Sequence, residues 1–415
     1  MELLEIAKNA KLASIKLANM KSEDKNSALN SIAEALENNK ENIINANKED
    51  LKNAEVMVEQ GKLSRSVYNR LKLDDNKFRS MVDGVRDLIK LEDPINKCLL
   101  ARQMDKDLTL YKISCPIGVL GIIFEARPDV ITQVVSLAIK SSNAVILKGG
   151  KEAKNTNVAI FDTILCALEK IDNFPKYAIS QVFSHDDVAK MLNMNDFIDL
   201  IIPRGSNSLV KFIKENTSIP VLGHADGICH IFVDENVSLD LITPLIIDSK
   251  TQYPSACNSV ETLLIHKNFE YKEQLYENLR NADIKLVFEP EKWNFEYGDK
   301  ILAVKIVENL EEAISHINTF GSGHTDAIYT DNISNAELFM NEVNSAGVYH
   351  NVSTRFADGY RYGFGAEVGI STSKTHARGP VGLEGLTIYK YKMFGNGQIV
   401  KDYVDGTKKF NHKDL

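Results

Sequence analysis

Apolar positions recur at helical spacing from residue 2 to residue 90. Leu3, Leu4, Ala7, Ala10 and Leu12 form a first group; Ser22 with Lys25 and Asn26 opens a second segment, which Ile32, Ala35 and Leu36 continue. The pattern predicts a helical packing layer without chemistry of its own. The period then changes. Residues 107–113 (DLTLYKI) alternate as a strand does, and so do residues 386–393 (LTIYKYKM) near the C-terminus. Two such strands, far apart in sequence and outside the main pattern, predict a small sheet projecting from the body. Pairing with another subunit would remove its raw edges; an ordinary edge hairpin is the alternative.

From Pro116 the pattern is β-α-β-α. Apolar strands are predicted at 117–124 (IGVLGIIF), 143–147 (NAVIL), 181–183, 197–202 (FIDLII) and 228–233, with helices at 130–139, 156–171, 188–194 and 206–215 between them. Buried strands alternating with helices predict a doubly wound parallel sheet, with ligands beyond the carboxyl ends of its strands. Three loops occupy that position: 125–129, 148–151 and 203–207. A second α/β unit follows from about 239 to 350, with strands at 260–265, 284–288, 302–307, 327–329 and 347–350, and helices at 271–281, 310–318 and 335–343. Residues 351–382 are rich in Gly, Ser, Thr, Arg and His, as loops lining a site often are.

One stretch organises the rest: Gln252-Tyr-Pro-Ser-Ala-Cys257-Asn-Ser-Val-Glu261. Cys257 follows an amphipathic helical segment (239–250) and precedes an apolar run, SVETLLIH, so it reads as a loop residue at the mouth of a strand. A thiol there can meet a substrate while a rigid element holds it, and its thiolate would be a nucleophile. A buried structural cysteine is the bland alternative. The loop Pro203-Arg204-Gly205-Ser206 joins a buried strand to a helix whose N-terminal N–H groups could hold a pyrophosphate. The glycines of Gly363-Phe-Gly365-Ala-Glu-Val-Gly369 have GxGxxxG spacing and follow no strand, so they are not a dinucleotide fingerprint.

Composition narrows the class. With 415 residues, 44% apolar and 26% charged, the chain is of ordinary globular character and long enough for two or three domains. A net charge of −8 leaves no basic footprint for nucleic acid. No apolar run of about 18 residues suggests a membrane span. Lys8, Lys11 and Lys16 interrupt the N-terminal pattern, so no signal peptide is expected. The five cysteines (98, 115, 166, 229, 257) are odd in number, without CxxC or a Cys/His cluster, so no metal site is expected and a reduced cytoplasmic enzyme is the simplest account. Cys166 is placed on the apolar face of the 161–171 helix.

The segments PIGVLGIIFEARPDV, SNAVILKGGKEAKNTN, PRGSNS, QYPSACNSVETLLIH, HINTFGSGHTDAI and GAEVGISTSKTHARGPVGLEGLT, in this order, closely resemble the gamma-glutamyl phosphate reductase branch of the aldehyde dehydrogenase superfamily, over about residues 2–395. The resemblance implies an aldehyde dehydrogenase-like α/β fold, with two Rossmann-like α/β domains and a small β oligomerisation flap. On this reading residues 1–106 and 116–235, with part of 351–385, bind NADP; 236–350 form the catalytic domain; and 107–115 with 386–415 form the flap. Cys257 is implied as the nucleophile. Lys148, Gly205 and Ser206 match the superfamily's cofactor positions, with Arg204 beside them, and Glu296 looks like its nicotinamide-ribose glutamate, although FEYGDK lacks the usual motif.

Two departures from hydrolytic relatives are informative. Arg127, in Glu-Ala-Arg-Pro, stands near the position of their oxyanion-stabilising Asn, and residues 221–227 (VLGHADG) offer no carboxylate in register with their water-activating Glu, Asp226 being displaced. An enzyme that exchanges phosphate should lack such a base. The implied reaction is NADPH-dependent reduction of L-glutamyl 5-phosphate to L-glutamate 5-semialdehyde and phosphate, the second step of proline synthesis from glutamate, through a cysteine thioester. The Cys257 N–H, Asn258, Arg127 and Arg355 are the expected oxyanion and substrate groups, with Arg204, Arg378, His324 and His376 as further candidates in site-facing loops. A homo-oligomer (dimer or tetramer) and glutamate 5-kinase as a functional partner are also implied, without nucleic acid or membrane. An oxidising aldehyde dehydrogenase would carry the missing base, and an enzyme for another acyl phosphate would lack these motifs.

Overall fold

The structure, a computed structural model, describes residues 2–184, 186–223 and 226–415. His224, named in the 221–227 stretch, lies outside the described residues. Among the described residues no helix is long and apolar enough to cross a membrane. The chain divides into two compact units: Met1–Gly205, Phe212–Val221 and Gly382–Leu415 form the first, Ser206–Lys211 and Leu222–Val381 the second.

In chain order the elements begin with α1 (Leu3–Leu17), α2 (Ser22–Asn38), α3 (Lys40–Glu59), α4 (Arg65–Leu71) and α5 (Asp75–Lys90), followed by the strands β1 (Cys98–Asp105), β2 (Leu108–Pro116) and β3 (Val119–Phe124). Next come α6 (Asp129–Lys140), β4 (Ala144–Gly149), α7 (Lys154–Leu168), β5 (Ile179–Val182), α8 (Asp186–Met191), β6 (Leu200–Arg204) and α9 (Asn207–Glu215). The second unit continues with β7 (Cys229–Val233), α10 (Leu239–Thr251), β8 (Val260–His266), α11 (Lys272–Asn281), β9 (Lys285–Val287), β10 (Ile301–Val307) and α12 (Leu310–Phe320). It closes with β11 (Thr325–Tyr329), α13 (Ile333–Glu342), β12 (Gly347–His350) and the short pair β13 (Ile370–Ser371) and β14 (Gly379–Pro380). The C-terminal segment supplies β15 (Thr387–Phe394), α14 (Val400–Val404) and β16 (Lys413–Asp414).

In the first unit β5, β4, β3 and β6 form a parallel sheet in that order. All of β3 is buried, as a strand covered on both faces must be. The N-terminal helices are the layer their periodicity predicts, and polar anchors dock them. The buried Asp50 of α3 accepts the Asn155 and Thr156 N–H groups at 3.1 and 2.7 Å, satisfying the exposed donors at the start of α7. Asp199 accepts both Lys11 Nζ (2.6 Å) and the Val119 N–H (2.8 Å), tying α1 to the sheet.

The two distant alternating segments do pair: β15 runs antiparallel to β2 from Thr387↔Pro116 to Phe394↔Thr109. Their sheet has four strands, in the order β15-β2-β1-β16. Strand β1 has no clean alternation and was not expected. It folds back through a tight turn in which Asp107 adopts φ 59°, a conformation Asp tolerates better than most residues.

The second unit is built on six parallel strands in the order β12-β11-β7-β8-β10-β9. Here the structure departs from the expected division. Strand β7, assigned from sequence to the first sheet, lies between β8 and β11 in the second, and residues 351–381, allotted in part to the cofactor domain, also belong to this unit. A mostly apolar, fully buried strand of five residues reads the same in either sheet, so only pairing decides. Cys166 is also exposed, not on the apolar face of α7: Ile160, Thr163, Ile164 and Ala167 make that face.

Candidate active site

Helix α10 ends at Thr251, and the eight residues that follow deliver Cys257 to the start of β8. Two turns shape this loop: Ala256 N donates to Tyr253 O (3.1 Å) and Ser259 N to Ala256 O (2.8 Å). Cys257 is partly exposed, whereas every residue of β8 is buried. The sequence reading of a loop thiol carried by a rigid strand therefore holds.

The loop is pinned from two sides. On one, the 227–229 segment lies against the Cys257 backbone. A Cβ on Gly227 would sit 2.6 Å from the Cys257 carbonyl carbon and closer still to its oxygen and Cα, so only glycine allows this approach. The buried Cys229 thiol donates to the Cys257 carbonyl at 3.3 Å. On the other side, Thr354 Oγ1 donates to Asn258 O (2.7 Å) and Asn258 Nδ2 donates to Ala357 O (2.8 Å). The expected substrate role of Asn258 is thereby narrowed: its side chain is buried, and one amide hydrogen already holds the backbone.

Arg355 lies on the same segment, in a short 3-10 turn capped by Ser353 Oγ, which accepts the Arg355 N–H. Its side chain is 8% exposed; Nε donates to Gln252 Oε1 at 2.9 Å, and the guanidinium stands 5.9 Å from the Tyr253 ring centre. Burial and the neighbouring Arg361 push the guanidinium pKa down, and the charge of Cys257 pulls it up. Arg355 and Cys257 are thus within electrostatic reach inside a single unit, joined through Gln252 and Tyr253 of the nucleophile loop.

A buried ion pair backs the loop. Lys250 Nζ and Glu261 Oε2 are 2.8 Å apart and both side chains are 0% exposed. Glu261 also accepts the Tyr297 and Gly298 N–H groups at 3.2 and 3.4 Å. Burial pushes the Glu261 carboxyl up to about 7, against the pull of Lys250 and the two N–H groups; burial likewise pushes Lys250 down. The pair thereby anchors the turn that follows Glu296. Glu296 Oε2 accepts from Asn207 Nδ2 at 3.0 Å, and the same amide donates to Asp226 Oδ1 at 2.7 Å.

Of the remaining expected cofactor residues, Lys148, Arg204 and Gly205 lie at the carboxyl ends of strands in the first unit. Lys148 ends β4, 6% exposed, with Nζ donating to Gly149 O (2.8 Å). Burial lowers its pKa, and Asp187 and Glu152 oppose this. Arg127 is partly exposed on the turn after β3, where Ala126 adopts φ 45° and donates its N–H to Glu152 Oε1 at 2.6 Å. Arg204 ends β6 and Gly205 follows it, and the Arg204 carbonyl accepts the Glu125 N–H (3.0 Å). In the second unit Ser206 Oγ accepts the Leu209 N–H (3.4 Å) at the start of α9. A cavity of about 220 Å³ opens between the ends of β4 and β5, lined by Gly149, Lys151, Lys154, Asn157, Gln181 and Phe183. Asn157 Oδ1 and Gln181 Oε1 are buried and meet no donor among the described residues. Two unfilled acceptors beside two lysines fit a ligand that brings hydroxyl or amine donors and an anionic group.

His324 is 0% exposed with Nδ1 on Thr325 Oγ1 (2.9 Å), and Arg378 Nη2 donates to Asn344 O (2.8 Å). His376 is exposed. The residues that hold the site together, Gly227, Cys229, Lys250, Gln252 and Glu261, escaped sequence reasoning. The one available signal was Glu261, the lone carboxylate of a mostly apolar strand.

The chain matches the model of the Aldehyde dehydrogenase family over residues 1–298. It is 55% identical to the gamma-glutamyl phosphate reductase of Brachyspira hyodysenteriae, covering all of both chains, and 49% identical to that of Acetivibrio thermocellus, covering all of this chain and 99% of the relative. The crystal structure of gamma-glutamyl phosphate reductase from Thermotoga maritima superposes with a TM-score of 0.92 at 38% identity, covering 96% of this chain and all of that one. With Cys257 presented at the mouth of a buried strand, a buried arginine in its electrostatic reach, and likeness along the whole length, the chain belongs to the aldehyde dehydrogenase family and, within it, to the gamma-glutamyl phosphate reductases.

Proposed function

We propose that the enzyme reduces L-glutamyl 5-phosphate to L-glutamate 5-semialdehyde and phosphate with NADPH, in the synthesis of proline from glutamate, through a thioester at Cys257. The observation that carries this reading is the Cys257 loop, clamped at its backbone by Gly227 and Asn258, with Arg355 in electrostatic reach. The Cys257 thiolate attacks the γ-carbonyl carbon, the C–O bond to phosphate breaks, and a thioester remains. NADPH, when bound, would supply the hydride for reduction of the thioester; the C–S bond would then break and return the Cys257 thiolate. The Cys257 N–H is the donor for the oxyanion of each step. Arg355, in electrostatic reach of Cys257, holds an anionic group of the substrate, Gln252 fixing its orientation. Arg127 is the second arginine assigned to substrate.

Lys148, with Lys151, Lys154, Asn157 and Gln181 around the cavity, would hold the cofactor in the first unit; Arg204, Gly205, Ser206 and Glu296 complete the assigned set. The unfilled acceptors of Asn157 and Gln181 support this fit. The sheet containing β2 and β15 is assigned as the oligomerisation flap, with Tyr391, Met393 and Phe394 exposed along β15. The acyl phosphate would come from glutamate 5-kinase in the same cytoplasm.

The experiment is the reverse reaction. Glutamate semialdehyde and NADP should give sustained NADPH only when phosphate or arsenate is present; without either, a burst stoichiometric with Cys257 should precede a near-halt. Sustained turnover in phosphate-free buffer would overturn the phosphate-exchange reading.

A further inference from the structure

We infer that Cys229 is a positioning residue for the nucleophile loop: its thiol hydrogen holds the Cys257 carbonyl and so fixes the backbone from which the Cys257 sulfur and N–H are presented. The inference rests on the reading of Cys257 as the nucleophile.

The sheet itself does not satisfy this carbonyl. Strand β7 pairs with β8 from Cys229↔Val260, and the next pair is His230↔Thr262, so the register skips Glu261 at the mouth of the sheet. The bulge turns Glu261 toward Lys250 and ends regular pairing just after the nucleophile loop. The Cys257 carbonyl, three residues upstream of β8, therefore takes its donor from a side chain, Cys229 Sγ at 3.3 Å. Gly227 makes this possible by letting its own backbone run against that of Cys257.

Cys229 suits the task in two ways. First, it is 0% exposed, and burial, with Asp326 and Cys257 nearby, pushes its pKa well above the usual thiol range. Burial thus favours the S–H form, and with it the donor, at this position. Second, its sulfur is itself located from the other neighbouring strand: the Thr325 N–H bonds to it, and His324 Nδ1, on Thr325 Oγ1, stands 3.9 Å away. The sulfur thus bridges β11 to the nucleophile loop.

The test separates donor from packing. Cys229→Ser and Cys229→Ala lose similar volume, and only Ser keeps the donor; Cys229→Val removes the donor and fills the site with an extra methyl group. In the full-length enzyme the Val and Ala variants should lose about ten- to a hundredfold in kcat, the scale for a misplaced reacting group, with KM within about twofold. The rate of Cys257 alkylation by iodoacetamide should fall in parallel. The Ser variant should recover most of both. Unchanged kcat and alkylation in Cys229→Val, with only Tm lowered, would reduce Cys229 to packing and overturn the inference. Should the variants not fold, the Cys257→Ser protein decides. In D2O its exposed and partly exposed thiols (Cys98, Cys115, Cys166) exchange, and the S–H infrared band that persists, from Cys229, should lie below the free-thiol frequency. A band at the free-thiol frequency would overturn the inference. Turnover surviving in Cys257→Ser would instead refute the reading of Cys257 and leave the thiol contact intact.

Discussion

The pair behind the nucleophile loop makes a prediction with opposite pH signatures. Lys250 and Glu261 are both fully buried, so removing either partner leaves a charge that must either stay unpaired, at about 3–5 kcal/mol, or neutralise. Neutralisation sets the ceiling, at about 1.4 kcal/mol for each pH unit between the solution and the ordinary pKa. In Lys250→Met the orphaned Glu261, ordinarily near 4.5, takes a proton at a cost of about 3 kcal/mol at pH 7 and about 1 at pH 5. Its folded pKa is raised, so the loss deepens as pH rises above 4.5. In Glu261→Gln the orphaned Lys250, ordinarily near 10.5, gives up its proton at about 5 kcal/mol at pH 7 and about 2 at pH 9. Its folded pKa is lowered, so the loss deepens as pH falls below 10.5. The double variant, with neither charge, should recover most of the deficit. Urea unfolding followed by Trp293 reads this out, because the single tryptophan lies in the same unit, 5.0 Å from His316. Single variants that lose under about 1 kcal/mol at pH 7, or a double variant no better than the worse single one, would refute the reasoning.

Cys257→Ser should abolish turnover while circular dichroism and NADPH binding stay near wild type; a retained rate would end the covalent mechanism. His316 is 4% exposed, and burial with His230 and Lys305 nearby pushes its pKa down to about 3. Its folded pKa is depressed, so it costs nothing above about pH 6.5 and removes up to about 1.4 kcal/mol of stability per pH unit as pH falls from there toward 3; His316→Phe should flatten that slope in denaturation measured by circular dichroism. Deleting residues 387–415 removes β15, α14 and β16, and light scattering should find smaller oligomers; an unchanged mass for folded protein would remove the flap assignment. Cys166→Ala, at an exposed position, should shift stability by under about 0.5 kcal/mol in urea.

The linear pattern determined a good deal here. Periodicity located the helical layer before residue 90 and nearly every strand of both parallel sheets, because burial imposes a regular spacing on apolar side chains. It also placed Cys257 at a loop-strand junction, since a helix pattern, a proline and an apolar run mark such a junction locally. Where the pattern is silent, the decision came from pairing. Strand β7, four apolar residues and a histidine, would suit either sheet, and hydrogen bonding alone put it between β8 and β11. Strand β1 lacks alternation because its partners cover it only partly, so its place beside β2 was invisible. The same holds for the groups that shape the site. Gly227 is one glycine among 23 until the chain brings it against Cys257. Lys250 and Glu261, eleven residues apart, become a desolvated pair only when α10 packs behind β8. Sequence carries what each residue can do; which groups lose water together, and so which charges and thiols change character, is decided by tertiary contact.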